Sequence, residues 1–203
     1  MTRVDFIFDF ASPNAYLAHK VIPGIAERTG ATFTYIPCLL GGIFKATGNQ
    51  APMLANANIP NKLAYEALEF TRFVDAHGLT AFTMNPHFPV NTLLLMRGAL
   101  VTKRDGGFDA YIDAVLHHMW EEPKKMDDPD VVIAALTASG FDGAGVVAAT
   151  QDPKIKAQLV DNTQRAVERG AFGIPTFFVG DDMYFGKDRL AQVEAKIRET
   201  SRA

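Results

Sequence analysis

"FDFASPNAYLA", residues 8–18, changes character in its middle. The residues leading into it, VDFIFDF over 4–10, place aromatic and aliphatic side chains between acids and read as a strand. Ser12-Pro13 then has the make-up of a helix start. Serine is a favoured N-cap, and proline suits the first helical position because its missing N–H has no partner there anyway. Tyr16, Leu17, Val21 and Ile25 give an apolar stripe, and Gly30 supplies a stop. The spacing predicts a helix from Pro13 to about Thr29. ATFTYIP (31–37) reads as a second strand ending at Pro37. A strand–helix–strand unit this short predicts a parallel, right-handed crossover.

Further along, GGIFKATGNQAP (41–52) reads as a loop from its glycines, proline and polar residues. From about residue 61 to 169 the periodicity is helical, with candidate helices near 61–77, 90–104, 107–120, 128–139 and 152–169. Asp152-Pro153 repeats the pattern of a cap followed by proline. IPTFFVG (174–180) and MYF (183–185) flank GDD, a hairpin signal, and GKDRLAQVEAKIRE (186–199) is an amphipathic final helix. Strands at both ends of the chain most simply share one sheet. The expected architecture is therefore α/β, in the order β-α-β … β-β-α, with a large all-helical insertion. Residues 1–45 plus 170–203 form one part and 46–169 the other. A cleft between the two is the default ligand site.

The bulk properties exclude several function classes. The chain has 203 residues, 48% apolar and 21% charged, the balance of an ordinary soluble globular protein. A net charge of -3 leaves no basic footprint, so a nucleic-acid partner is not expected. No apolar run has the length of a membrane span. The opening MTRVDFIFDF, interrupted by Asp5 and Asp9, does not read as a secretory signal, and a cytoplasmic location is expected. Cys38 is the single cysteine, so no internal disulfide and no zinc-spaced Cys/His cluster forms. His117 and His118 are adjacent on a predicted helix and point in different directions, whereas helical metal pairs favour i,i+4 spacing; no metal is expected. Cys38, Trp120 and the LLLM stripe (93–96) are assigned to the core. Arg97 is read as a helix-surface charge, with an anionic substrate as its alternative partner.

Ser12 carries two readings. As a cap, its oxygen accepts a backbone N–H. As a functional group, it stands at a helix N-terminus, where free N–H groups and a partial positive charge hold anions and favour thiolates. A hydroxyl can accept from the backbone and still donate its own proton. No glycine elbow or adjacent histidine marks a serine nucleophile. Pro175 begins a strand, where proline is tolerated only at an edge or start. The sequence offers no reason for a cis Ile174–Pro175 bond, though a cis bond turns the Ile174 backbone outward for a peptide-like ligand.

The order of elements, an active motif at the first helix start and Ile-Pro-Thr before the third strand together resemble a thioredoxin fold with a helical insertion. Redox members of that fold open the first helix with Cys-x-x-Cys. Here the four residues are Ser12-Pro13-Asn14-Ala15, so dithiol exchange is excluded. The wording F-x-F-D-F-x-S-P-x-x-Y-L-A, followed in order by LLGGIFKATGN (39–49), NKLAY (61–65), FPVNT (88–92), FGIPTFFVGDDMYFG (172–186) and KDRL (187–190), is similar to the 2-hydroxychromene-2-carboxylate isomerases and the kappa-class glutathione transferases. The likeness spans nearly the whole chain.

That resemblance implies glutathione as the cofactor, supplying the thiol the chain lacks. It implies that Ser12 donates to the glutathione sulfur, that Ile174, before Pro175, pairs through its backbone with the cysteinyl part, and that Lys187 and Asp188 meet the γ-glutamyl end. Asn49 and Lys62 match positions lining the glutathione and substrate region; their ordinary readings are a turn residue after Gly48 and a solvated first-turn lysine. Asn91 falls at the substrate region or caps the helix beginning there. The implied activity is glutathione-dependent cis–trans isomerisation between 2-hydroxychromene-2-carboxylate and trans-o-hydroxybenzylidenepyruvate, or of a related aromatic 2-oxo acid, by reversible thiolate addition. The alternatives are a kappa-type transferase that conjugates electrophiles and a non-catalytic thioredoxin-like peptide-binding module. The hairpin departs from the pattern at Tyr184-Phe185-Gly186, where many isomerase relatives carry tryptophan; this bears on the substrate more than on the glutathione site. A homodimer is implied as well.

Overall fold

A computed structural model describes residues 1–201, so the last two residues of the predicted 170–203 segment lie outside the described residues. The chain opens β1 (Arg3–Phe8), α1 (Pro13–Thr29), β2 (Thr32–Pro37), close to the boundaries read from the sequence. It closes with β3 (Thr176–Val179), β4 (Asp182–Phe185), a 3-10 turn (Lys187–Arg189) and α10 (Leu190–Thr200). The four strands form one sheet in the order β2-β1-β3-β4. β1 pairs parallel to β2, with Phe6 opposite Tyr35, and antiparallel to β3, with Phe6 opposite Phe177. One face of β1 packs through Val4, Phe6 and Phe8: Phe6 stacks on Phe177 with ring centroids 5.0 Å apart and meets Tyr35 edge-on at 4.8 Å.

α1 begins where Ser12-Pro13 requires and ends at Gly30, which takes the left-handed conformation and donates its N–H to Ala26. It packs beside α10, where Arg28 holds Glu194 with two hydrogen bonds of 3.1 and 2.8 Å.

Between the two halves of the sheet run α2 (Leu40–Thr47), α3 (Pro52–Ala55), α4 (Pro60–His77), α5 (Leu93–Asp105), α6 (Phe108–Trp120), α7 (Pro129–Ala138), α8 (Gly143–Ala149) and α9 (Pro153–Glu168). The loop expectation for 41–52 is overturned by α2. Ile43 is fully buried, and a Cβ at Gly42 would lie 3.0 Å from Thr163 Cγ2 of α9, so the glycine that weakens local helix propensity is what lets the two helices approach. α3 and α8 were also not expected. The predicted final helix (186–199) is divided, its first turn being 3-10. A continuous apolar core joins the sheet to Leu95, Met96, Val115 and Trp120 of the helical segment. Among the described residues no helix is long and apolar enough to cross a membrane.

Candidate functional site

Ser12 is buried, and its hydroxyl has two partners. Oγ accepts the Ala15 N–H at 3.2 Å, the helix-cap bond, and donates to the carbonyl oxygen of Ile174, also at 3.2 Å. The cap and the candidate functional group are thus one atom facing the loop before β3. Pro13 has no N–H, Ala15 gives its N–H to Ser12 Oγ and Tyr16 to the Ser12 carbonyl. Among the described residues the Asn14 N–H of this first turn has no acceptor, and neither has the Ile174 N–H. The Asn14 N–H, at the positive end of α1, and the Ile174 N–H, on the residue whose carbonyl takes the Ser12 proton, are therefore free main-chain donors.

Asp9, which sequence reasoning did not single out, anchors this helix start from below. Its carboxylate is buried; Oδ1 accepts from the Ala11 N–H at 2.9 Å and the Thr92 hydroxyl at 2.6 Å, and Oδ2 from the Leu40 N–H at 2.7 Å. One side chain ties the end of β1 to the starts of α2 and α5. Burial pushes its pKa above the usual carboxylate range, against the pull of those three hydrogen bonds. The available signal was an acid directly after the apolar run Phe6-Ile7-Phe8 that ends β1.

The Ile174–Pro175 peptide is cis, as is Phe88–Pro89. Asn49 reaches this loop: its Nδ2 donates to the Phe172 carbonyl at 2.8 Å. Phe172 and Phe185, both partly exposed, lie 4.5 Å apart between ring centroids and form an apolar edge beside the loop. A Cβ at Gly173 would meet Phe185 Cε2 at 2.8 Å, so only glycine lets that ring close over the chain. The sequence marks Phe185 only as a departure in the hairpin; its pairing with Phe172 is closed by the fold.

The Pro175 carbonyl accepts the Gly186 N–H at 2.9 Å, which places the 3-10 turn against the same loop. Lys187 is buried there. Its Nζ lies 2.6 Å from Asp188 Oδ1 and 4.9 Å from the centroid of Phe73 on α4. Its partner in this structure is therefore the neighbouring carboxylate, which is itself largely exposed. Ser12, Asn49, Ile174, Pro175, Lys187 and Asp188 are thus linked through one loop and its neighbours. Lys62 and Asn91 are not. Lys62 is exposed in the first turn of α4, and Asn91 Oδ1 accepts the Leu93 N–H at 3.0 Å. That bond is a helix-start contact, but the cap position itself belongs to Thr92, whose side chain is spent on Asp9.

Cys38 cannot stand in for the missing thiols. It is buried, donates to the Asn162 carbonyl at 3.4 Å, and has its pKa pushed up to about 12 by burial and by the charge of Asp9. His117, His118 and Glu122 offer atoms within 4.8 Å of one another. Both His118 nitrogens already have protein partners, Lys124 Nζ at 2.7 Å and Ser139 Oγ at 3.0 Å. Trp120 is core, as expected, and its Nε1 donates to the Phe10 carbonyl at 3.0 Å.

A family model described as a DSBA-like thioredoxin domain matches residues 3–198. The chain is 28% identical to a 2-hydroxychromene-2-carboxylate isomerase from Pseudomonas putida, over 95% of this chain and 92% of that one. It is 26% identical to glutathione S-transferase kappa 1 of Homo sapiens, over 92% of this chain and 87% of the other. A solved structure of 2-hydroxychromene-2-carboxylate isomerase superposes with a TM-score of 0.82 at 27% identity, covering 98% of this chain and 96% of that one.

Proposed function

The chain belongs to the family of DSBA-like thioredoxin domains, and from that premise we propose that it is a glutathione-dependent cis–trans isomerase of aromatic 2-oxo acids, of the kind that interconverts 2-hydroxychromene-2-carboxylate and trans-o-hydroxybenzylidenepyruvate. It is an enzyme: its relatives over nearly the whole length are isomerases and transferases. The observation that carries the finer reading is Ser12. A hydroxyl occupies the helix start where redox members of the fold hold cysteines, the N–H groups of Asn14 and Ile174 are free, and the chain's own thiol is buried elsewhere.

These residues fit the tripeptide. The Ile174 N–H suits a peptide carbonyl. The opposed charges of Lys187 and Asp188 suit an amino-acid end that carries both an ammonium and a carboxylate. Asn49 holds the loop through Phe172 and lies at its edge. When bound, glutathione would supply the thiolate that adds to the conjugated double bond, frees it to rotate and departs. Ser12 serves that chemistry by turning its proton from the Ile174 carbonyl toward the sulfur while keeping the Ala15 bond. The Asn14 N–H and the positive end of α1 favour the anion. Phe172 and Phe185 give the aromatic ring an apolar face. By resemblance Lys62 lies at the substrate region, where it or backbone donors would stabilise the enolate, and Asn91 lies at the same region or serves only at its helix start. Held donors cost no reorganisation during reaction, which is where their advantage over water lies.

The same thiolate site also suits a kappa-type transferase, and the Phe185 departure in the hairpin supports that second reading. In this scheme residues 1–45 and 170–203 are the thioredoxin-like part and 46–169 the helical part. Met53, Leu54, Ile59, Tyr65 and Leu68 leave apolar surface exposed on α3, α4 and the turn between them, which supports a homodimer. A reducing compartment such as the cytoplasm keeps the borrowed thiol reduced.

The test is spectroscopic. Purified protein, glutathione and trans-o-hydroxybenzylidenepyruvate are mixed and the ultraviolet spectrum followed. Reversible conversion with no glutathione consumed is the expected result. A stable adduct with chlorodinitrobenzene and no isomerisation selects the transferase, and no glutathione binding at millimolar concentration defeats both.

A further inference from the structure

One cavity among the described residues lies away from Ser12. It is a groove of roughly 480 Å³ between α2, α5 and α9, and Ser12, Asn49, Ile174 and Asp188 do not line it. That volume is within the range of small-molecule pockets. Its walls are mainly apolar, formed by Leu39, Leu93, Leu159 and Val167. One arginine, Arg97, is among its lining residues. Its Nε is buried without a hydrogen-bond partner among the described residues. No ion pair among those residues involves it; the arginines nearby in sequence or on α9, Arg104 and Arg165, are both paired with aspartates.

Nε itself is closed off from solvent, so the Nη atoms, which have no hydrogen-bond partner among the described residues, are what a ligand in the groove can meet. The other charges on the groove are one of each sign, Lys156 and Glu168. They sit twelve residues apart on α9, about 18 Å along its axis at 1.5 Å per residue, so Glu168 neutralises one end at most. What remains is a cation set in an apolar wall. A guanidinium fork matches a planar carboxylate with two parallel hydrogen bonds, and the walls match a hydrocarbon body. We infer that the α2–α5–α9 groove is a second ligand site that binds an apolar monocarboxylate, with Arg97 holding the carboxylate. The inference does not depend on the glutathione reading, because the two sites share no residue.

The probe is 2-naphthoate, with 2-naphthalenemethanol as its uncharged counterpart, titrated calorimetrically into the full chain. Saturable one-to-one binding of the acid is expected, at least tenfold tighter than the alcohol. Arg97→Gln should weaken the acid at least tenfold and leave the alcohol unchanged, and Arg97→Lys should recover part of the loss. Because Arg97 has no partner to lose, Arg97→Gln should also melt no lower than the wild type. The inference is overturned by any of the following: no binding of the acid, equal binding of the alcohol, Arg97→Gln binding within twofold of wild type, or displacement of the acid by glutathione. It is equally overturned if Val160→Asp turns a dimer into a monomer by light scattering, since the groove is then an interface between copies.

Discussion

The hydroxyl of Ser12 donates to the Ile174 carbonyl at 3.2 Å while its oxygen accepts the Ala15 N–H. A hydroxyl has one proton, so Ser12 cannot hold Ile174 and a ligand sulfur at once. The cap bond needs only the oxygen and survives either choice. Capping and ligand binding are separable by substitution. Ser12→Ala removes the cap, a loss of about 1 kcal/mol. For a domain of this size that is a fall in Tm of about 2–4 °C. Ser12→Gly costs a helix cap only a few tenths of that. Both variants should lose the function of the hydroxyl equally, while Ala should melt lower than Gly in differential scanning calorimetry.

Asp9 is the second structural hinge of the site. Replacing it with Asn keeps the size but turns one acceptor into a donor, so one of Ala11, Leu40 or Thr92 faces an amide N–H. The expected cost is about 1–3 kcal/mol. The pH dependence has a definite sign. The folded pKa lies above the unfolded one, so Asp9 favours the fold most below the usual carboxylate value and that contribution is lost as pH rises through the raised pKa. Denaturant melts of Asp9→Asn across acid to neutral pH should lack that decline; an unchanged profile contradicts the burial argument.

α1 was fully legible because everything that starts, fills and stops it is local, from Ser12-Pro13 through the apolar stripe to Gly30. α2 was not. Gly41 and Gly42 read as loop residues, and only the approach of Thr163, well over a hundred residues on, gives Gly42 its reason. Asp9 shows the same limit: two of its donors, Leu40 and Thr92, lie 31 and 83 positions away. Asn49 was selected by resemblance, and its contact with the Phe172 carbonyl 123 positions later has no sequence pattern at all. Motifs within a turn are visible in the sequence, whereas pairs closed by the fold are not.

Gly173 and Phe185 should couple. A methyl at Gly173 collides with the Phe185 ring, so Gly173→Ala alone pushes the ring off the loop and loosens the Phe172–Phe185 edge. In a Phe185→Ala background the same methyl has room. A double-mutant cycle on thermal stability should therefore give an interaction energy of about 0.5–3 kcal/mol, the range for residues in contact. Additive effects would mean that the ring does not close over Gly173.

Glu121 is one carboxylate whose protonation weakens the fold in acid. Burial raises its pKa, but hydrogen bonds from His117 at 2.9 Å, Lys20 at 2.7 Å and Tyr16 at 3.0 Å outweigh it and bring the carboxyl down to about 2. A depressed pKa stabilises above the unfolded value, near 4.5, and that stabilisation fades as pH falls toward about 2. Glu121→Gln should be less stable than wild type at neutral pH and should lose less on acidification, so the two stability curves converge below pH 4.5. Parallel curves would contradict the assigned partners.

The central claim, that Ser12 and its neighbouring N–H groups hold a borrowed thiolate, is tested by titrating glutathione bound to the protein and following thiolate absorbance in the ultraviolet against pH. The bound thiol should ionise below the ordinary value of about 8.5. Ser12→Ala, in a folded protein that still binds glutathione, should raise it by about 1–2 units, since one charge-assisted hydrogen bond is worth about 1.5–3 kcal/mol. A bound thiol that ionises at the same pH in wild type and Ser12→Ala would leave Ser12 as a helix cap alone and contradict the claim.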